Sequence, residues 1–177
     1  AAWQSLPGDV RETVYGRELL AALGRKARHW AGLLRTGAAE AACDEKLLKG
    51  YAQAFLAGAA MLDSLAAAAE ESWDAARNCT LAFPSLSPVR KCEAPELKAR
   101  LQSQWKRCKE EMKAAVAILD ASSAEAAEDL GRSAPAMEAL LGLCAAFGRA
   151  YQAEKLRRNV TDFSDQEHGA VRLLLGG

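Results

Sequence analysis

Leu20-Ala21-Ala22-Leu23-Gly24-Arg25-Lys26-Ala27-Arg28-His29-Trp30-Ala31-Gly32-Leu33-Leu34 carries its apolar weight at Leu20, Leu23, Ala27, Trp30 and Leu34. Steps of three and four residues put those side chains on one face of an α-helix and nowhere coherent on a strand. The helix extends outward from this stretch, from Asp9 after the Pro7-Gly8 break to about Ala42. A second helix starts near Asp44, a suitable N-cap, and repeats the pattern through Leu48, Tyr51, Phe55, Leu62 and Leu65, with Gly58 at the missing position. Alanines at 57, 59, 60 and 66–69 keep helix propensity high and leave room for close helix approach. Ser72-Trp73-Asp74 opens a short helix ending near Thr80.

Between Leu81 and Pro95 the helical signal collapses, and Pro84, Pro88 and Pro95 with Ser85 and Ser87 predict a fixed, extended connection. Pro95 then suits the first turn of a long helix to Ala121, striped by Leu97, Leu101, Trp105, Cys108, Met112 and Leu119. Ser123 to Leu130 reads as a short helix closed by Gly131. Ser133-Ala134-Pro135 starts another long one, with Met137, Leu141, Cys144, Phe147 and Tyr151 expected as its buried face. After Asn159 to Phe163 comes a final helix, with Ser164 and Glu167 as a capping box and Ala170, Val171 and Leu174 as a small apolar face. No stretch alternates with period two. The expected fold is all-α, an elongated bundle of four long amphipathic helices plus short ones.

Composition agrees with that pattern: of 177 residues half are hydrophobic, only 6% are aromatic, and alanine carries the difference. The length fits one domain, with room for an appendage. No apolar run nears the roughly 20 residues of a membrane span, so no membrane association is expected. The five cysteines are odd in number and never stand at C-x-x-C spacing, which favours a reducing cytoplasm over a disulfide framework. With only His29 and His168 to join them, no metal site is expected. Phosphate-cradling loops, G-x-S-x-G and H-E-x-x-H are all missing, so no catalysis is expected from these residues.

Lys and Arg number 23 and Asp and Glu number 23, a formal net charge of zero that hides an uneven distribution. Val89 to Lys113 holds eight cations: Arg90, Lys91, Lys98, Arg100, Lys106, Arg107, Lys109 and Lys113. Four acids in the same segment leave it at +4, whereas Ala114 to Phe147 stands at −4. A further basic cluster, Arg149, Lys155, Arg157 and Arg158, includes residues suited to a helix C-terminus. The +4 segment fits a solvated helix face and fits equally a stripe that contacts phosphates; charge alone leaves both open.

The stretch Tyr151-Gln152-Ala153-Glu154-Lys155-Leu156-Arg157-Arg158-Asn159-Val160-Thr161-Asp162-Phe163-Ser164-Asp165-Gln166-Glu167-His168 resembles a signature of UvrD-like superfamily 1 helicases. There a helix ending Y-x-x-x-K leads into D-F-[SD]-D and a further helix. The form Asp162-Phe163-Ser164-Asp165-x-Glu167-His168 is most similar to the AddA family, helicase–nuclease subunits of bacterial AddAB complexes. Ser72-Trp73-Asp74, Phe83-Pro84-Ser85-Leu86, Val89-Arg90-Lys91 and the charged helix from Glu96 follow the order of that family's helical 1B subdomain. Leu6-Pro7-Gly8 and Gly16-Arg17-Glu18-Leu19-Leu20 also fit it. Gln166 departs from the pattern, since an apolar residue is usual there.

The resemblance implies a piece of a larger enzyme. Residues 1–160 would form the 1B-like subdomain, and residues 161–177 a linker and helix returning to a motor domain. It implies no cofactor within this chain; ATP and Mg, with the Walker loops and nuclease motifs, would belong to the rest of the protein. Implied partners are DNA bound without sequence preference, the rest of the helicase chain and an AddB-like partner subunit. Their setting would be double-strand break repair and recombination in the bacterial cytoplasm. The alternative is a scaffold that docks the partner subunit or motor without touching DNA.

Overall fold

The computed structural model describes residues 9–175, and every regular element in that span is helical. The all-α architecture expected from the periodicity is what the chain adopts. Two compact units are present, one running to Leu130 and one starting at Gly131. The resemblance noted at Leu6-Pro7-Gly8 lies outside the described residues.

In the first unit a 3-10 turn (Val10–Glu12) leads into α1 (Val14–Glu40), and a second one (Ala41–Cys43) follows it. Thr13 caps α1, its Oγ1 accepting the Gly16 N–H at 3.0 Å. The stripe Leu20, Leu23, Ala27, Trp30 and Leu34 is buried throughout. Next come α2 (Glu45–Leu47), a π-helical turn (Leu48–Ala52) and α3 (Gln53–Glu71), and α3 packs along α1. Gly58 is needed for that packing to admit α5 (Pro95–Val116), because a Cβ there would stand 3.0 Å from the Trp105 ring and 3.1 Å from Leu34 Cδ1. Trp105 in turn stacks on Phe55 at 5.0 Å between centroids and meets the edge of Phe83 at 5.6 Å. Between α3 and α5 lie α4 (Trp73–Arg77), capped by the Ser72 hydroxyl, and the non-helical connection that the prolines predict.

Three expectations for this unit change. Leu48 is 42% exposed, and Leu47 is buried in its place. In a π-turn, with more than four residues per turn, the residue four before Tyr51 lies over it while the one three before rotates outward. The span Glu45–Glu71 is also long and apolar enough to cross a membrane, contrary to the reading of the runs, but half of its most apolar window is buried inside the protein. Its apolar residues are those of a core helix. At its far end α5 stops at Val116 rather than Ala121, and Leu119 stays buried beyond it.

The remaining elements are α6 (Ser123–Arg158), whose first turns belong to the first unit, and α7 (Phe163–Leu175). The expected break at Gly131 is not there: α6 runs through Gly131 and Pro135, the proline costing one backbone hydrogen bond within an alanine-rich sequence. The expected buried face is corrected too. Met137, Leu141, Phe147 and Tyr151 are 46–67% exposed and Cys144 is exposed. Within the second unit only α7 is available to cover α6, and α7 itself buries no residue, Val171 and Leu174 included.

Candidate functional site

Asp44 sits at the root of the candidate site. The residue is 4% exposed and makes no ion pair among the described residues. Oδ1 caps α2 by accepting the Lys46 and Leu47 N–H groups at 2.9 and 3.2 Å. Oδ2 accepts the N–H groups of Glu93 and Ala94 at 2.6 and 3.3 Å, from the far end of the proline-rich connection. Burial pushes the carboxyl upward in pKa, and the donors of Glu93, Leu47, Lys46 and Ala94 together outweigh it and hold it below 3.8. The same connection is pinned at its middle, where the Ser87 N–H donates to Gly50 O at 3.3 Å and Lys98 Nζ to Val89 O at 2.6 Å.

These ties distribute the eight cations of residues 89–113 over three places. Arg90 and Lys91 join Lys46 and Lys49 around a groove of about 640 Å³, with Lys98 anchoring its wall. Lys106, Lys109 and Lys113 flank Trp105 on one side of α5. Arg100 and Arg107 lie on the opposite flank, because residues at 100° per position cannot share a face with both sets. Arg100 pairs with Glu40 at 2.9 Å. Arg107 pairs with Glu111 at 2.8 Å and lies 5.9 Å over the Trp30 ring. Glu111 also accepts from Trp30 Nε1 and pairs with Lys26. Its carboxyl is held below the usual range first by Arg107, against burial, and then by Trp30 and Lys26. Lys106 is 3.8 Å from Glu110. Among the described residues Lys46, Arg90, Lys91, Lys109 and Lys113 make no ion pair. Lys46 and Lys49 are absent from the sequence-level candidates, because no local signal connects them to Arg90, some forty positions away.

The motif stretch forms the corner between α6 and α7. Asn159 takes the left-handed conformation (φ 53°), so that its N–H reaches Leu156 O and that of Val160 reaches Lys155 O, which closes the α6 C-terminus. Asp162 and Asp165 then cap each other. The Asp165 N–H donates to Asp162 Oδ1 at 2.9 Å, and the Asp162 N–H to Asp165 Oδ2 at 3.1 Å. This replaces the capping box expected at Ser164 and Glu167, since α7 starts one residue after Asp162. Lys155, 6% exposed, bridges both carboxylates at 3.1 and 2.6 Å and lies 4.7 Å over the Tyr151 ring, whose hydroxyl donates to Asp162. The Lys155 hydrogen bond, followed by the Asp162 N–H, lowers the Asp165 pKa to about 2, and Asp165 in turn raises that of Lys155. Lys155, read from sequence as one of a basic cluster at a helix C-terminus, is thus the residue that ties the corner together.

Phe163 and His168 are exposed, as is Glu167. His168 Nδ1 lies 2.7 Å from the Ser164 carbonyl, which can only accept, so that nitrogen carries the proton. It is then no base for the Ser164 hydroxyl 3.2 Å away, and the pair is a local helix contact rather than a nucleophile. The corner cavity of about 590 Å³ holds Lys155 against two carboxylates, with Arg172 in the same lining balancing the second negative charge.

No family model matches the chain, and no solved structure matches it. Curated relatives do. The A subunit of the ATP-dependent helicase/nuclease of Desulforudis audaxviator (strain MP104C) is 33% identical over 129 residues, 71% of this chain and 10% of that protein. The protein of the same name from Heliobacterium modesticaldum (strain ATCC 51547 / Ice1) is 31% identical over 130 residues, and that of Clostridium novyi (strain NT) 27% over 135. The chain spans about a tenth of the length of the curated relatives it matches. Three such similarities to one kind of protein are consistent with a fragment of AddA, the A subunit of ATP-dependent helicase/nucleases.

Proposed function

We propose that this chain is the DNA-engaging 1B-type accessory region of an ATP-dependent helicase/nuclease that acts in double-strand break repair and recombination. Residues 1–160 would supply the subdomain and 161–177 the return to a motor domain. Catalysis, with its ATP and Mg, resides elsewhere in such a protein, in the bacterial cytoplasm and beside an AddB-like partner. The observation that carries the reading is the set Arg90, Lys91, Lys109 and Lys113, cations without ion pairs among the described residues, presented on a rigid helix and a pinned connection. Phosphate contacts of this kind give affinity without reading sequence, which suits a motor that must pass over any DNA.

Fluorescence anisotropy with forked and duplex DNA at low salt tests it. Binding should be weak, about 10⁻⁴ to 10⁻⁶ M at physiological salt, and should fall steeply as salt rises. Reversing Arg90, Lys91, Lys109 and Lys113 together to Glu should abolish it. Absence of binding in the unmodified chain at low salt would refute the reading.

Docking to the partner subunit is the second reading, favoured by the exposed Leu140, Leu143 and Phe147 of α6. Retention of the partner in a pull-down at high salt, with no DNA binding, would select it.

A further inference from the structure

Three sets of cations come from the basic segment, and they differ in what already neutralises them. Arg100 and Arg107 are tied to Glu40 and Glu111, and Lys106 has Glu110 at 3.8 Å on its own helix. The groove between the π-turn and the connection is different. Lys46 and Lys49 stand on one wall, and Arg90 and Lys91 on the other. The groove lining holds no acid, and of its cations Lys49 pairs with Glu45 at 2.5 Å one helical turn away, with both side chains more than 70% exposed. Asp44, buried beneath, spends both oxygens on four backbone N–H groups.

Geometry holds the two walls at a fixed separation. Ser87 N–H to Gly50 O, Lys98 Nζ to Val89 O and the Asp44 bonds to Glu93 and Ala94 fasten the connection on either side of Arg90 and Lys91. Gly50 lines the groove against Val89: a Cβ at that position would stand 2.7 Å from Val89 Cγ2, so a side chain there would displace the Val89 side chain and narrow the groove. Gly50 belongs to the π-turn, a local feature that often marks functional sites. Besides its four cations the groove is lined by Gly50, Ser87, Pro88 and Val89, so a single hydroxyl is the only uncharged side-chain group it offers to a base edge.

From this arrangement we propose that the Lys46–Gly50/Val89–Lys91 groove is a clamp for the phosphodiester backbone of nucleic acid, and that it, rather than the Lys106–Lys113 flank of α5, supplies the main anchoring contacts. The inference rests on the DNA-engaging reading given above and names the site within it. The clamp has an ordered shape before binding, so little ordering entropy opposes the contact. Arg90 presents a planar fork to phosphate oxygens, while Lys46 and Lys91 act as point charges. Recognition is by charge and shape, independent of sequence.

The experiment uses the 177-residue chain, with a labelled duplex of about 30 base pairs and a labelled single strand of about 30 nucleotides, both of mixed sequence, as probes. One triple variant neutralises the groove (Lys46→Gln, Arg90→Gln, Lys91→Gln), another the helix flank (Lys106→Gln, Lys109→Gln, Lys113→Gln). The groove variant should lower the slope of log affinity against log salt by about 2.7 on duplex, from about 0.9 for each phosphate no longer neutralised. The flank variant should change the slope by less than about 1. A separate variant, Glu45→Gln, leaves the cations intact and frees Lys49; it should bind about two- to fivefold tighter at low salt. That gain does not depend on the folding of any triple variant, which far-UV circular dichroism checks.

A drop in binding for the flank variant with none for the groove variant would overturn the clamp and leave the DNA-engaging reading standing. Unchanged binding in both would overturn both. A labelled polyglutamate of about 20 residues, bound as tightly as DNA and released by the groove variant, would reassign the groove to an acidic protein surface, and so also overturn the clamp.

Discussion

Trp105→Ala should be among the most damaging single substitutions in the first unit, and the structure fixes both its size and its partner. The side chain is 5% exposed, stacked on Phe55 and edge-on to Phe83. An indole buries up to about 250 Å², which at about 25 cal/mol per Å² is about 6 kcal/mol gross; what alanine retains and partial relaxation reduce this to about 4 kcal/mol. Against a total stability of about 5–15 kcal/mol that is a large fraction. With a urea dependence of about 2 kcal/mol per molar, the midpoint followed by far-UV circular dichroism should fall by about 2 M. Gly58 gives the sharper test, since its missing Cβ is what lets the indole in, at 3.0 Å. In the native background Gly58→Ala gains about 1 kcal/mol of helix propensity and loses about 1–3 kcal/mol to overlap, a net loss or no gain. In the Trp105→Ala background the two closest approaches disappear, Leu34 Cδ1 staying near at 3.1 Å, and the same substitution should stabilise. A double-mutant cycle reads the change of sign directly. If Trp105→Ala costs less than about 1 kcal/mol, or if Gly58→Ala has the same effect in both backgrounds, the packing argument is wrong.

The α6–α7 corner should be acid-labile. Asp165 is held at about 2 against an ordinary 3.8, so its contribution is complete above about pH 4 and vanishes as pH falls toward about 2. Lys155 is raised above 10.5, so its share is complete below that value and lost as pH climbs through the raised one. Hydrogen exchange of α7 amides, corrected for intrinsic rates, should show protection falling between about pH 4 and 2; a flat profile would contradict the lock. Asp44→Ala should release the connection, and tryptic cleavage after Arg90 and Lys91 should accelerate relative to cleavage elsewhere; an unchanged rate would mean that the four N–H bonds do not hold it. Cys108 is buried, and burial followed by nearby Glu111 pushes its thiol up to about 12, so it should resist a thiol reagent at about pH 8 until the first unit unfolds. Exposed Cys43 and Cys144 should react at once, and equal rates for all three would refute the burial of Cys108.

The helices were legible from residue order because their cause is local. Steps of three and four placed Leu20 to Leu34 and Leu101 to Met112 on single faces, and those faces are the core. Ser72 and Asp44 announced their helix starts through side-chain oxygens that reach only two or three residues on. The corner motif was legible as a pattern, since the residues from Tyr151 to His168 are close in sequence. Their roles were not, because the capping partners turn on where α7 begins, and a shift of two positions moved the box from Ser164 and Glu167 to Asp162 and Asp165.

What amphipathicity alone could not decide was which faces find cover. The stripe on α6 has the same period as that on α1, yet Leu141 and Phe147 are exposed while Leu23 and Leu34 are buried. Periodicity states that a face is apolar; only the placement of a neighbouring helix states that it is buried. The eight cations obey the same limit. Sequence order made them one basic segment, whereas the turn of α5 and the path of the connection parted them into three sets and brought Lys46 and Lys49 to Arg90 and Lys91. Helix formation depends on neighbours a few residues away, so the sequence determined it; convergence across some forty residues depends on how the chain folds back, and that only the tertiary structure decided.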